Sequence, residues 1–283
     1  MTNRRRSAVS VIKPVVSGLC LAALGLLALS MAAVAQFRDL SAGRPAPRGA
    51  DGRISFTGPP GELGNWEGSS ANGAELIYPT PEDDPADGTA ALPANLSVEE
   101  VPFQPWARAL FEYRQKTFLK DEPHVRCKAS GAARLFHTPY GLEILDLPEA
   151  GEIIFVGVGG PHSWRVVQMD ETVHPADPEP THYGHSLGRW EGDTLVIDAV
   201  GFAESFWMSR LGFPHTGRLH TIERLSRPNF DTLVYEITID DPGAYTDVWS
   251  GGWYLTWRKG NEPFDYLCQE NNLDVERMVG PEG

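Results

Sequence analysis

The pattern of apolar and polar residues divides the mature chain into an arm and a β-rich domain. Residues 36–102 are dominated by Gly, Pro, Ala and acidic residues, and no apolar period of 2 or 3.6 is sustained there. From residue 127 onward apolar residues alternate with polar ones in short runs separated by Gly and Pro. We therefore expect residues 36–102 to wrap around a β-rich domain that occupies residues 103–283.

One segment carries a helical pattern. In residues 104–118, Trp106, Leu110 and Tyr113 recur at helical spacing, and Pro105 suits the first position of a helix. An aromatic stripe of this kind usually packs on a core, so the pattern predicts a packing helix with these three residues inward.

Eight runs in the β-rich domain have the length and turn spacing of strands. They are Leu142–Leu147, Glu152–Val158, Ser163–Met169, Thr194–Val200, Arg218–Leu225, Thr232–Ile239, Trp253–Arg258 and Asp265–Cys268. Short strands without interleaved helices predict an antiparallel sandwich or an up-and-down barrel. We prefer the barrel, of the lipocalin or calycin type.

Alternation places two carboxylates on the apolar faces of their strands, Glu223 and Asp198, whereas Glu236 lies on the polar face of its strand. A carboxylate among apolar neighbours is either paired with a cation or raised in pKa, so that it can act as an acid or base. Three arginines are candidate partners: Arg165, Arg189 and Arg224.

The first 35 residues have the features of an export signal. Four basic residues precede a long apolar run that ends in Ala33-Val34-Ala35, an A-x-A cleavage site before Gln36. An uncleaved anchor is the alternative. Cleavage leaves 20 basic against 38 acidic residues, a formal charge of −18. Such a charge argues against nucleic acid or a membrane surface as partner, and we expect no membrane insertion after cleavage.

Two cysteines remain in the mature chain, Cys127 and Cys268. In an oxidising compartment an even pair most simply forms one disulfide, and two reactive thiols are the alternative.

Four strings, GHSLGRWEGDTLVID, HTIERLSR, ITIDDPGAYT and CQENN, resemble a large family of exported bacterial proteins without an established activity. The resemblance covers about residues 127–272. It implies export, a β-rich fold and the pairing of Cys127 with Cys268, and it transfers no catalytic residue.

The string Gly184-His185-Ser186-Leu187-Gly188 has the form of a nucleophile elbow, and Asp198 followed by His215 or His220 completes the order of a hydrolase triad. An elbow needs a strand before the serine and a helix after it, whereas prolines precede this string and a hairpin follows it. Ser186 is therefore predicted to lie in a turn and not to act as a nucleophile.

A divalent metal is a weaker alternative. The set His182, His185, His215 and His220 offers ligand types for zinc or iron, but the first two lie three residues apart in a segment whose Pro and Gly residues exclude a helix.

The favoured hypothesis is a site in the barrel interior or mouth that holds a small, neutral, partly aromatic molecule. Asp198 or Glu223 would work there with His185 or His220 as general acid and base. The expected ligand-binding residues are Tyr183, Arg189, Trp190 and Tyr235. If the chain is an enzyme, this hypothesis favours an acid–base reaction of the lyase, isomerase or hydrolase type. Binding without turnover, the identity of the ligand and the oligomeric state are left open by the sequence.

Overall fold

Nine strands in the described part of the chain close into one barrel, in which strands adjacent in sequence pair and β9 returns to β1. Their bounds are β1 Gly64–Gly68, β2 Leu142–Leu147, β3 Glu152–Gly157, β4 Trp164–Gln168, β5 His185–Glu191, β6 Thr194–Val200, β7 His220–Asn229, β8 Thr232–Asp240 and β9 Trp249–Lys259. All pairs are antiparallel except β4 with β5, which is parallel. The barrel prediction is confirmed.

This computed structural model describes residues 40, 43–59, 61–68, 76–77, 92, 94–138, 141–158, 163–270 and 272–277. They all fall in one compact unit, Asp39–Gly283. The predicted export signal lies outside the described residues. Among the described residues, no helix combines the length and the apolar composition that crossing a bilayer requires.

Four short helical segments accompany the barrel in the described residues. The α-helices are α1, Pro105–Lys116, and α2, Asp274–Arg277; the 3₁₀ helices are His124–Arg126 and Ala133–His137. The predicted helix is thus confirmed, and Pro105 occupies its first turn.

The predicted inward face of α1 is wrong. Trp106 and Tyr113 are 45% and 49% exposed, whereas Ala107 and Phe111 are buried. Phe111 packs against Phe213 with ring centroids 5.0 Å apart. Trp106 stays at the surface because its indole N–H reaches a backbone carbonyl oxygen there, a polar contact that a fully apolar pocket would deny it.

The two strands that the sequence pattern missed both contain glycine. β1 lies in the Gly- and Pro-rich arm, so the arm contributes a strand to the barrel. β5 holds Gly188, where an added Cβ would come within 2.7 Å of Val167 on β4. The glycine permits the close approach of the two strands and hides the alternation that predicts a strand.

The predicted strand Asp265–Cys268 is wrong, because the chain after β9 forms no strand in the described residues and is tied down by a disulfide instead. Cys127 and Cys268 are bonded, with their Cα atoms 5.7 Å apart. The predicted pairing is confirmed. Asn272 Nδ2 adds a hydrogen bond to the carbonyl oxygen of Val125 beside the disulfide.

Two narrow joints divide the barrel wall. Among the described residues, β1 and β2 pair only through Trp66 and Leu142, and β4 and β5 pair only through Gln168 and Leu187. Strands β2, β3 and β4 therefore form a three-stranded unit that is joined to the other six strands by few backbone hydrogen bonds.

Aromatic side chains fill the barrel interior. Five of them are at most 1% exposed: Trp66, Phe136, Phe155, Tyr235 and Trp253. Phe136, carried by the second 3₁₀ helix, stacks on Tyr235 with centroids 4.2 Å apart, and Tyr235 lies 4.9 Å from Trp253. Phe136 also contacts Phe155, and Trp66 contacts Trp257, so the middle of the barrel is a packed core.

Candidate functional site

Strand register brings three predicted residues together on the outer wall of the barrel. Leu187 on β5 and Ile222 on β7 both lie opposite Asp198 on β6. His185 and His220 each precede one of these partners by two residues, and side chains two apart in a strand point to the same side. The side chains of His185, Asp198 and His220 therefore share one face.

Two further residues join them. His174 Nε2 lies 3.1 Å and His220 Nε2 lies 2.8 Å from the same oxygen, Asp198 Oδ1. His174 Nδ1 lies 2.9 Å from His185 Nδ1, and His185 Nε2 lies 3.4 Å from Glu171 Oε2. These five residues form a continuous series, Glu171, His185, His174, Asp198 and His220, which we call the histidine chain.

Sequence reasoning missed His174 and Glu171. Both lie in the connection between β4 and β5, which has no period from which a face can be assigned. The only available signal was a histidine inside an acidic, proline-containing loop, DETVHPADPEP. Such a loop is ordinarily solvated, so the signal does not distinguish His174 from any other surface histidine.

The histidine chain keeps Asp198 ionised. Partial burial acts to raise the pKa of Asp198, but the hydrogen bonds from His174 and His220 and their charges outweigh it, and the pKa lies below its usual range. Asp198 therefore carries its negative charge at neutral and mildly acidic pH.

A groove of about 500 Å³ lies beside the histidine chain, at the narrow joint between β4 and β5. Asp198 and Glu171 belong to its wall. Of the predicted ligand-binding residues, Arg189 and Trp190 also line it. Trp190 is held by stacking on Phe56, with centroids 5.6 Å apart and ring planes 12° from parallel.

The groove wall is strongly acidic. It contains six carboxylates, Asp51, Asp146, Glu152, Asp170, Glu171 and Asp198, against two arginines, Arg53 and Arg189. Arg53 is paired with Asp51 at 3.7 Å, and Arg189 with Glu191 at 2.8 Å. Partial burial raises the pKa of Asp146, and the negative charge of Asp51 raises it further. The groove therefore presents an excess of negative charge.

Glu223 is not part of this site. Its cross-strand neighbour on β6 is Ile197. Glu223 therefore points into the barrel with Ile197, whereas Asp198, the next residue on β6, points out of it. Glu223 makes two contacts of 2.8 Å to Arg165 and accepts a hydrogen bond of 2.9 Å from the Tyr235 hydroxyl, and the side chains of the ion pair are 0% exposed. The hypothesis of a shared interior acid–base site is therefore wrong, whereas Arg165 was among the predicted partners.

The pair also spans the barrel. Arg165 belongs to β4, in the three-stranded unit, and Glu223 belongs to β7, in the other six strands. Burial acts to lower the pKa of Arg165, but the charge of Glu223 raises it above its ordinary value. The ion pair therefore links the two parts of the wall from inside, where the backbone pairing is narrow.

Ser186 lies on β5 and points inward, so the prediction that it occupies a turn is wrong. It is 2% exposed, and its Oγ accepts a hydrogen bond of 3.0 Å from Arg165 Nε. Asp198 and His220 lie on the opposite face of the wall. No triad can form across the sheet.

We expect a fluorophosphonate probe to leave Ser186 unlabelled, because the hydroxyl is buried and its described partner is the Arg165 guanidinium instead of a histidine. Ser186→Ala should instead lower the free energy of unfolding by about 1 to 3 kcal/mol, since it leaves a buried guanidinium N–H without its acceptor. Intact-mass measurement after labelling tests the first statement, and urea denaturation tests the second. Labelling that Ser186→Ala removes would contradict the first, and an unchanged unfolding midpoint would contradict the second.

The four histidines considered as metal ligands do not converge. His182 pairs with Ser205, and His215 lies beside Phe206 with ring centroids 4.2 Å apart. Only His185 and His220 belong to the histidine chain, where their nitrogens face other imidazoles and carboxylates. Among the described residues, no group of three or more His, Cys, Asp or Glu side chains has a metal-binding arrangement.

Two predicted ligand-binding residues have other contacts. Tyr235 is wholly buried against the Arg165 and Glu223 pair, and burial raises its pKa well above the ordinary value. It is therefore a core residue. Tyr183 lies with its hydroxyl 2.6 Å from Ser163 Oγ and is half-buried.

No protein-family model matches this chain, and neither curated proteins nor solved structures give a match. The function is therefore inferred from the chemistry of the described residues.

Proposed function

We propose that this chain is an exported protein that binds a small neutral or cationic molecule in the groove and converts it by general acid–base chemistry. The observation that carries the proposal is the histidine chain, in which a groove-lining carboxylate, Asp198, is hydrogen-bonded to two imidazoles and a third links them to Glu171. The packed middle of the barrel directs the proposal to the groove at the joint between β4 and β5.

The groove has the size and surface of a small-molecule site. Ligand pockets commonly measure about 300 to 1,000 Å³ and combine apolar walls with a few polar groups. Trp190 offers a fixed aromatic face, and Ile153, Met169 and Leu187 add apolar surface. Stacking on Phe56 keeps the indole from collapsing into the groove, so a planar ligand meets a preformed wall.

The charge of the groove selects among ligands. Both arginines already face carboxylates, so an anionic molecule would meet the remaining negative charge without a free cation. A neutral ligand avoids this repulsion, and a cationic ligand is attracted by the negative charge of the groove. The same reasoning argues against nucleic acid as a partner.

The histidine chain can both accept and supply a proton. In the proposed reaction, Glu171, which lines the groove, takes a proton from one atom of the bound molecule and returns it to another atom, and the adjacent His185 exchanges a proton with Glu171 across 3.4 Å. The bound molecule thus keeps its proton count and undergoes isomerisation or elimination. Imidazoles suit this role because their ordinary pKa lies near neutrality. His174 and Asp198 act as positioning residues that fix the orientation of His185.

Export and family membership are part of the proposal. The chain would belong to the exported bacterial family that its motifs resemble, with the signal cleaved after Ala35. Two of the motif strings contain His185, Asp198 and His220, the barrel-borne members of the histidine chain. The disulfide is consistent with an oxidising compartment.

A binding protein without turnover is the second candidate, because the same groove and aromatic wall would serve it. The two functions differ in Glu171. In a binding protein, Glu171→Gln changes affinity only. In the proposed enzyme, it lowers kcat by about 10²-fold or more, the usual contribution of a general base.

Native mass spectrometry of the protein purified from its own host is the first test. We expect a non-covalent adduct with a mass of a few hundred daltons, roughly what a 500 Å³ groove accommodates. Trp190→Ala should lose the adduct because it removes the aromatic wall. The released compound is then incubated with fresh protein and with the Glu171→Gln variant, and its conversion is followed by mass spectrometry and NMR.

Asp193→Asn provides a matched control. Asp193 lies in the turn between β5 and β6, is 53% exposed and pairs with Arg48 instead of a histidine. It should retain both adduct and conversion, whereas Asp198→Asn should lose conversion. Absence of any adduct, or an adduct that Trp190→Ala retains, would refute the groove as the binding site.

A further inference from the structure

The connection between β4 and β5 borders the groove and carries two members of the histidine chain. Its ends are held by backbone hydrogen bonds, Met169 N to Gly151 O at 2.8 Å and Thr181 N to Gly201 O at 3.1 Å. Between them, the described polar contacts that tie residues 170–177 to the barrel are those of Glu171 and His174. Closure of this segment on the wall therefore depends on the histidine chain.

The positions of the hydrogen atoms in the histidine chain follow from its geometry. Asp198 is ionised and can only accept, so His174 carries its proton on Nε2 when it is neutral. His174 Nδ1 is then an acceptor, and the facing His185 Nδ1 must be the donor. His185 Nε2 lies 3.4 Å from the carboxylate of Glu171. The closed arrangement thus needs a proton on His185 Nδ1 and none on the facing His174 Nδ1.

A second proton breaks this arrangement. If both imidazoles are fully protonated, two N–H donors face each other across 2.9 Å and two positive rings lie with centroids 5.1 Å apart. The other groups that face the pair do not remove this conflict. Asp198 already accepts from His174, Glu171 already faces His185, and protonation of His220 on its other nitrogen leaves its bond to Asp198 unchanged.

We propose that residues 170–177 form an acid-released latch over the groove, closed when His174 is neutral and open when His174 and His185 are both protonated. The inference rests on the proposed function only in treating the groove as the ligand site. Because Asp170, Glu171 and Thr172 line the groove, opening removes part of its wall and releases the ligand. A ligand held at neutral pH is thus discharged in mildly acidic surroundings.

NMR relaxation of the whole mature chain, without ligand, tests the latch. Backbone order parameters of residues 172–176 should be about 0.85 at pH 7.5 and below about 0.6 at pH 5.0, a range that spans the ordinary titration of histidine. Amides of β7 and β8 should not change. Long-range ¹⁵N–¹H spectra of the imidazoles should show His174 protonated on Nε2 alone at pH 7.5 and on both nitrogens at pH 5.0.

Three variants distinguish opening of the latch from a general increase in backbone mobility at acidic pH. His174→Phe removes both bonds, so the segment should be mobile at both pH values. His185→Gln should stay ordered at pH 5.0, because a glutamine amide can donate to neutral His174 or accept from protonated His174. His182→Gln, which changes a histidine outside the histidine chain, should behave as the unmodified protein.

Equal order parameters at the two pH values in the unmodified chain would overturn the latch, as would mobility of His185→Gln at pH 5.0 equal to that of the unmodified chain. Failure to find a groove ligand would refute the proposed function and leave these measurements unaffected.

Discussion

Glu223→Gln should lower the free energy of unfolding by about 3 to 5 kcal/mol, the usual cost of removing one partner from a buried ion pair. The substitution preserves shape but leaves Arg165 charged and 0% exposed, and the new amide turns a donor toward a guanidinium N–H. The pair also ties the three-stranded unit to the rest of the wall, so its loss weakens the barrel where the backbone pairing is narrow. Urea denaturation followed by tryptophan fluorescence measures the change.

Two comparisons make this prediction specific. Glu236→Gln, on the exposed face of the neighbouring strand, should stay within about 0.5 kcal/mol. The double variant Arg165→Met with Glu223→Leu should recover most of the loss, because a well-packed apolar pair of similar volume replaces both charges. Indistinguishable unfolding midpoints for Glu223→Gln and Glu236→Gln would show that the pair contributes little to stability.

Replacing Cys127 and Cys268 by serine should cost about 3 to 5 kcal/mol of unfolding free energy. The bond closes a loop between residues 141 apart in sequence, and the chain-entropy estimate for such a loop is roughly 5 kcal/mol. Part of this stabilisation is offset, because the described residues after β9 contribute no strand to the barrel and gain freedom in the folded state once the bond is lost. Urea denaturation of the oxidised protein and of the double serine variant measures the difference.

Reduction of the unmodified protein provides the matching control and should reproduce the effect of the variant. Limited proteolysis should then cut the chain after Lys259 before it cuts the barrel, because β9 is held by β1 and β8 on both sides. Recovery of both cysteines as free thiols in non-reducing peptide maps of exported protein would contradict the premise. Equal midpoints with and without the bond would contradict the magnitude.

Strand prediction succeeded where side-chain alternation reports one buried face. The run Thr232–Ile239 shows this directly, because Leu233, Tyr235, Ile237 and Ile239 are at most 1% exposed and Glu236 is exposed. Prediction failed for β1 and β5, whose glycines have no side chain to mark a face. The sequence pattern predicted that α1 forms. It could not predict which face of the helix is buried, because that depends on the aromatic residues against which the helix packs, and these are distant in sequence.

The candidate site shows a similar limit. Alternation placed Glu223 correctly on an apolar face and offered Arg165 as a partner, yet it placed Asp198 on an apolar face as well. Alternation within one strand shows which residues share a face, but not which face is the barrel interior when residues of the outer face are also buried. Val196, which shares the outer face with Asp198, is 0% exposed. His174 could not be predicted, because only the folded connection between β4 and β5 brings it to Asp198.

The pairing of β1 with β9 also constrains the order of folding. Glu67 on β1 and Arg258 on β9 are 191 residues apart in sequence, and their side chains form an ion pair at 2.8 Å. During synthesis, β1 appears long before β9, and its only other described pairing, to β2, is a single bridge. Closing so distant a contact is slow and leaves hydrophobic strand edges exposed in the meantime. Trp66 and its neighbours therefore remain without their main strand partner until β9 has been synthesised.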